Sequence, residues 1–141
     1  MNTYMSRIVK LILIFLVTWT SQLSVADNKI RIPTPEKADE YIIKSTIKKI
    51  KSETYRYWTE TIYKEDIYGK IGLLYRKGQS TKMLIELDCK NETRAIIAMI
   101  VYDENKEVVS SIKKDGAKME KHYIAPNTYA ELGKLLICHI E

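Results

Sequence analysis

The chain has only two cysteines, Cys89 and Cys138, and both lie downstream of an N-terminal secretion pattern. Export places a protein in an oxidising compartment, where a pair of cysteines usually forms a disulfide. We therefore expect a Cys89–Cys138 bridge, which would staple a small domain that has little core of its own. A metal site is not expected, because the two histidines, His122 and His139, do not lie at a ligand spacing from the cysteines.

The secretion pattern occupies residues 1–26. Two basic residues precede an apolar run at residues 11–17, which is shorter than the roughly 20 residues of a membrane span. Ser24 and Ala26 then provide the small side chains that a signal peptidase requires. We expect cleavage after Ala26 and an exported mature chain without an integral membrane span. The periplasm is the expected location, with the outer-membrane surface or secretion as alternatives.

About 115 residues remain after cleavage, which is enough for one domain and one core. Their net charge is +3 at neutral pH, and the basic residues are interspersed with acidic ones. A nucleic-acid-binding protein would carry a stronger and more clustered positive charge. We therefore expect no nucleic-acid partner.

The mature chain begins with a polar stretch, residues 27–39, that contains two prolines. We interpret it as a flexible lead-in to a domain that covers residues 40–141. Residues 40–52 fit either a strand or a lysine-rich helix, because short apolar runs do not distinguish the two.

Residues 54–63 are rich in aromatic and β-branched side chains, which is typical of a strand. Alternation places Trp58 on one face, which we expect to be buried. The opposite face carries three tyrosines and is the best candidate for a recognition surface, although plain cross-strand packing is the more common reason for such a face. The candidate binding residues are Tyr55, Tyr57 and Tyr63.

The rest of the chain predicts an antiparallel meander. Residues 81–89 alternate between apolar and polar side chains, and the connections between successive strands are too short for parallel crossovers. Thr128 and Glu131 form a capping box at the start of a C-terminal helix. The predicted fold is α+β, with an antiparallel sheet of about five to six strands and one C-terminal helix joined to it by the disulfide.

Residues 93–102 are apolar on both faces of their predicted strand. One helix cannot cover both faces of a sheet, so we expect a partner or a second copy to cover part of this strand. A homodimer is the simplest such arrangement, because one patch can meet itself across a two-fold axis.

Several short motifs occur in a recognisable order. They are a Trp-bearing strand, Glu86-Leu87-Asp88-Cys89, Thr93-Arg94, the segment from Val101 to Lys106, the segment from Ile124 to Thr128, and a helix ending in Cys138. In this respect the chain resembles the surface-adhesin protein E-like family of exported Gram-negative bacterial proteins. The resemblance spans roughly residues 40–138 and implies a strand and turn at residues 40–52. The turn after Tyr102 has Lys106 where the family tends to have glycine, which predicts a longer or bulged turn.

No catalytic constellation can be assembled from the sequence. Asp88 is best explained as a turn residue, since a nucleophile and a base are not found in any triad-like pattern with it. We expect a non-enzymatic binding module without a cofactor. The resemblance implies adhesin-like contact with a host extracellular protein or a bacterial envelope protein. The alternative is a soluble periplasmic protein of structural or stress-related role.

Overall fold

The computed structural model describes residues 28–34, 36–114 and 119–140. The predicted signal peptide, residues 1–26, lies outside this range. The described elements are β1 (Lys29–Ile32), β2 (Ala38–Ile43), β3 (Lys48–Lys51), β4 (Thr54–Tyr63), β5 (Ile67–Gly69), β6 (Gly72–Tyr75), β7 (Ser80–Asp88), β8 (Thr93–Tyr102), β9 (Val108–Lys113), β10 (His122–Tyr123) and α1 (Tyr129–Cys138).

Eight of the strands form one antiparallel sheet. Its main path runs β1-β2-β4-β7-β8-β10, while β3 pairs with β4 and β9 pairs with β8. The long strands β4, β7 and β8 form its centre. The remaining two strands, β5 and β6, form a separate hairpin. The predicted antiparallel sheet with one C-terminal helix is confirmed, but it has more strands than the five to six expected.

The N-terminal part of the domain is more ordered than expected. Lys29–Ile32 forms β1, paired with β2, inside the stretch that we interpreted as a flexible lead-in. Residues 38–51 form two strands separated by a 3₁₀ turn at Lys44–Thr46, so the strand-and-turn interpretation of residues 40–52 is correct. Both strands pair with β4, β2 across a long sequence separation and β3 as a hairpin, and this pairing decides their structure where local propensity did not.

The turns before and after β8 are fixed by aspartates. The Asp88 carboxylate accepts hydrogen bonds from the backbone N–H of Asn91 at 3.0 Å and from its side-chain amide at 2.8 Å. Asp103 accepts from the backbone N–H groups of Asn105 and Glu107, each at 2.9 Å. Lys106 adopts a left-handed φ of 68° within this second turn, which has five residues between β8 and β9. The expectation of a longer turn here is therefore confirmed.

The capping box at the start of α1 is also confirmed. The Glu131 backbone N–H donates to the Thr128 hydroxyl at 3.3 Å. The Glu131 carboxylate accepts in return from the Asn127 backbone N–H at 2.7 Å. The first bond serves a backbone N–H of the first helical turn, and the second fixes the residue before the N-cap, so together they favour a helix start here.

The core lies between α1 and one face of the sheet. Tyr57 of β4 is at its centre, and Ile137 is the fully buried contact from the helix. The buried members of the core are Ile32, Ile42, Tyr57, Ile85, Leu87, Ile124 and Ile137. The expectation that Trp58 faces the core was wrong: Trp58 is partly buried on the opposite face, and the tyrosine face of β4 packs beneath the helix.

The disulfide joins the end of the helix to the sheet. Cys89 follows β7 and Cys138 ends α1, and their Cα atoms lie 5.9 Å apart across the bridge. Lys134 adds a second tie, because its ammonium lies 2.6 Å from the carboxylate of Glu92 in the β7–β8 turn. The predicted bridge between helix and sheet is thus confirmed.

Candidate binding surfaces

The three tyrosines proposed from the sequence share one face, but that face is not open. Tyr57 is 4% exposed, so its expected exposure was wrong. Burial raises the pKa of the Tyr57 hydroxyl to about 12. Tyr55 packs against the rim of the core, and the ammonium of Lys49 lies 5.9 Å from the centre of its ring. In this conformation Tyr57 is not available to a partner.

Tyr63 has a structural contact of a different kind. Its ring stacks on that of Tyr75 with 4.3 Å between centroids and 7° between planes. Its hydroxyl oxygen lies 3.3 Å from the Thr81 hydroxyl oxygen, and burial raises its pKa to about 12. Tyr63 therefore fixes the base of the β5–β6 hairpin to the sheet and keeps part of its ring accessible.

The face opposite the helix is lined by apolar residues and ion pairs. Trp58 lies opposite Leu84 of β7, and both are partly buried. Two register positions along, on the same face, Arg56 donates to the Glu86 carboxylate at 2.8 Å. Among the described residues no α-helix packs against this face. Its long basic side chains cover part of the apolar surface while keeping their charges in water.

A larger apolar surface lies where β8 pairs with β9. All six residues of β9 are exposed, and the strand has β8 as its one partner in the described sheet. The exposed apolar side chains here, which we call the β8–β9 patch, are Ile96, Val108, Val109 and Ile112. They surround the sheet edge and do not share one face, because Val108 lies opposite Tyr102 and Ile112 lies opposite Met99. A shallow cavity of about 180 Å³ adjoins the patch between Ile96, Met99 and Ile112.

The apolar character of β8 on both sides contributes to this patch. Ile97 is buried, whereas Met99 and Val101 remain partly exposed. The fold therefore buries one side of β8 incompletely. The sequence indicated an uncovered apolar strand, but it did not indicate that β9 would add further exposed apolar side chains beside it.

A second cleft of about 400 Å³, lined by both polar and apolar side chains, lies between the start of α1 and the sheet. Glu40 and Arg94 lie in it, with His122 and Tyr129 at its wall. Burial raises the pKa of Glu40, and the nearby Arg94 charge opposes part of that shift. The Thr128 hydroxyl in the same wall is engaged in capping α1. The cleft thus presents charged groups without pairing a base to an available nucleophile.

Asp88, the residue beside Cys89, has a structural role. The hydrogen bonds from the Asn91 side chain and backbone lower the pKa of its carboxyl group, with Lys121 and Lys51 contributing their charges. In residues 28–34, 36–114 and 119–140, no group of three or more His, Cys, Asp and Glu side chains is placed to hold a metal ion. No described helix is long and apolar enough to cross a membrane.

Comparison with known proteins identifies relatives of this architecture. Residues 30–139 match the sequence model of the family described as surface-adhesin protein E. No curated protein sequence matches the chain.

Solved structures of protein E from Haemophilus influenzae share the fold. Its second crystal form superposes with a TM-score of 0.56 at 16% identity, covering 82% of this chain and 90% of that chain. A further structure of the Haemophilus influenzae protein gives a TM-score of 0.55 at 16% identity, covering 82% of this chain and 86% of that one. The structure of protein E from non-typeable Haemophilus influenzae gives a TM-score of 0.54 at 16% identity, covering 82% of this chain and 78% of that chain. At this identity the likeness shows a common fold.

Proposed function

The chain belongs to the surface-adhesin protein E family, and we propose that it is an exported, non-enzymatic module that binds another macromolecule. The proposed partner is a host extracellular protein or a protein of the bacterial envelope. Adhesin-like contact requires an accessible surface that a partner can desolvate, and catalysis requires convergent reactive groups. The described residues include a candidate for such an accessible surface.

The β8–β9 patch is the observation that carries this proposal. Val108, Val109 and Ile112 are 51–60% exposed, and they lie on a strand whose outer edge can accept further backbone hydrogen bonds. A partner can cover the apolar side chains or add a strand to this edge, and both modes are common in protein recognition. Lys113 and Lys114 follow the apolar residues and supply a polar rim.

We also propose that the β8–β9 patch forms a homodimer when the partner is absent. Two copies of β9 can pair antiparallel across a two-fold axis, which brings Val109 and Ile112 of both copies together. Light scattering at micromolar protein concentration tests this directly. The expected result is twice the mass of the mature chain, reverting to a monomer in Ile112→Glu. A monomeric wild type would contradict it.

Binding itself can be tested with the purified chain on immobilised basement-membrane extract, with albumin as the control surface. We expect saturable retention on the extract and none on albumin. The same preparation should not hydrolyse generic ester or peptide substrates. Turnover abolished by Asp88→Asn or His122→Ala in a folded protein would contradict the proposal, as would equal retention on both surfaces.

A further inference from the structure

The β5–β6 hairpin exposes more apolar surface at its tip than any other described turn. Ile71 is 97% exposed and Tyr68 69% exposed, and Leu73 and Leu74 are exposed beside them. The strands pair only with each other and form their own two-stranded sheet. Apolar groups concentrated on a projecting element indicate that something other than water contacts them.

The tip has a defined shape. Lys70 and Ile71 occupy the turn between Gly69 and Gly72, whose φ of +128° suits glycine. A Cβ atom on Gly69 would lie 2.9 Å from the Leu74 side chain, so Leu74 packs directly over this glycine. The turn therefore presents Ile71 at its extremity because of its own geometry.

The base of the hairpin is held by the main sheet. Tyr75 stacks on Tyr63 of β4, as described above. The Asp66 carboxylate accepts from the Lys77 backbone N–H at 2.8 Å and closes the base. Because the base is fixed, the tip can move from water into an apolar environment without rearrangement of the domain.

The charges of the hairpin are segregated. Residues 67–75 contain one charged residue, Lys70, and no acidic residue. The acidic residues Glu65 and Asp66 lie at the base, accompanied by Arg76 and Lys77. An apolar tip with a lysine and a tyrosine beside it matches the interfacial region of a bilayer, where aromatic rings lie at the headgroup level and lysine reaches anionic phosphates.

We propose that the β5–β6 hairpin inserts its tip into the interfacial region of a phospholipid bilayer. A three-residue strand spans about 10 Å, which matches the roughly 5–10 Å depth at which interfacial elements reside. A stable protein interface buries about 800 Å² on each partner, whereas this tip offers four side chains on a convex turn. A fluid bilayer accepts a convex wedge without a complementary cavity.

Vesicle co-sedimentation tests this proposal. The purified chain, with its N-terminus established by mass spectrometry so that the apolar signal segment is known to be gone, is mixed with phosphatidylethanolamine–phosphatidylglycerol vesicles. We expect saturable binding that falls at least tenfold in Ile71→Asp. Lys70→Glu should weaken binding to these vesicles more than to vesicles of phosphatidylcholine alone.

Ile50→Asp is the matched control, since it places the same charge on an exposed apolar residue of β3, outside both the hairpin and the β8–β9 patch. It should bind vesicles like the wild type. Ile71 is fully exposed, so the circular dichroism spectrum and melting temperature of Ile71→Asp should be unchanged. A wild type that does not sediment with vesicles, or an Ile71→Asp variant that binds as tightly, would overturn the proposal. Loss of vesicle binding in Ile50→Asp would show that the effect is not specific to the hairpin tip, and it would overturn the proposal equally.

Discussion

The hydroxyl oxygen of Tyr57 lies 3.7 Å from the position that a Cβ atom on Gly133 would occupy. This is an ordinary van der Waals distance, so alanine fits between the helix and the sheet. We predict that Gly133→Ala stabilises the fold by about 0.5–1 kcal/mol, because alanine loses less backbone entropy in a helix. Urea denaturation measures this. Gly72→Ala, at a φ of +128°, should destabilise, and a loss of stability in Gly133→Ala would show that the contact is already tight.

Adjacent aromatic residues of β4 should differ in their contribution to stability. Tyr57 is enclosed by the core, so Tyr57→Ala should cost about 3–5 kcal/mol. Trp58 lies on the face without an α-helix, where water can fill the space left by truncation. We predict that Trp58→Ala costs at least about 1 kcal/mol less than Tyr57→Ala in matched denaturant titrations. The reverse order would mean that the open face carries the tighter packing.

Removing the disulfide should destabilise the domain substantially. The bridge closes a loop across a separation of 49 residues. Loop entropy for such a length gives about 4 kcal/mol as an upper figure. The paired variant Cys89→Ser with Cys138→Ser should therefore have a free energy of unfolding lower by up to this amount, measured by denaturant titration. Intact-mass analysis of the native chain should show the bridged form, and two free thiols in the folded protein would contradict the assignment.

The Glu40 carboxyl group should make stability depend on pH. Burial raises its folded-state pKa above the ordinary 4.5, more than the Arg94 charge lowers it. The folded chain therefore binds this proton more tightly than the unfolded chain, and ionised Glu40 destabilises the fold at neutral pH. That destabilisation is lost as the pH falls through the raised pKa towards 4.5.

We predict that Glu40→Gln raises the melting temperature at pH 7 and that the difference shrinks by pH 4. Glu65→Gln, at an exposed position, is the control and should have little effect at either pH. A lower melting temperature for Glu40→Gln at pH 7 would show that attraction to Arg94 dominates.

Most of the fold could be predicted because its signals are local. Neighbouring residues in the sequence are enough to predict the strand at residues 81–89 and the capping box at Thr128. The disulfide follows from the number of cysteines and from the oxidising compartment to which an exported chain is delivered. The structure of β1 could not be predicted this way, since four residues followed by two prolines become a strand through pairing with β2.

The orientation of β4 was missed for a related reason. Alternation shows that Tyr57 and Trp58 lie on opposite faces, but it does not show which face meets the helix. Either ring can be buried, and the packing of Gly133 and Ile137 decides the outcome. The exposed β8–β9 patch was only partly predicted, because it requires knowing that β9 ends the sheet beside β8.

Binding by variants of the β8–β9 patch tests the central claim most directly. Retention of the wild type on basement-membrane extract is compared with that of Ile112→Glu, using Ile71→Glu on the hairpin as the matched control. Both residues are more than half exposed, so both variants should fold normally. The account predicts at least a tenfold loss of retention for Ile112→Glu and little change for Ile71→Glu. Wild-type retention by Ile112→Glu would contradict it.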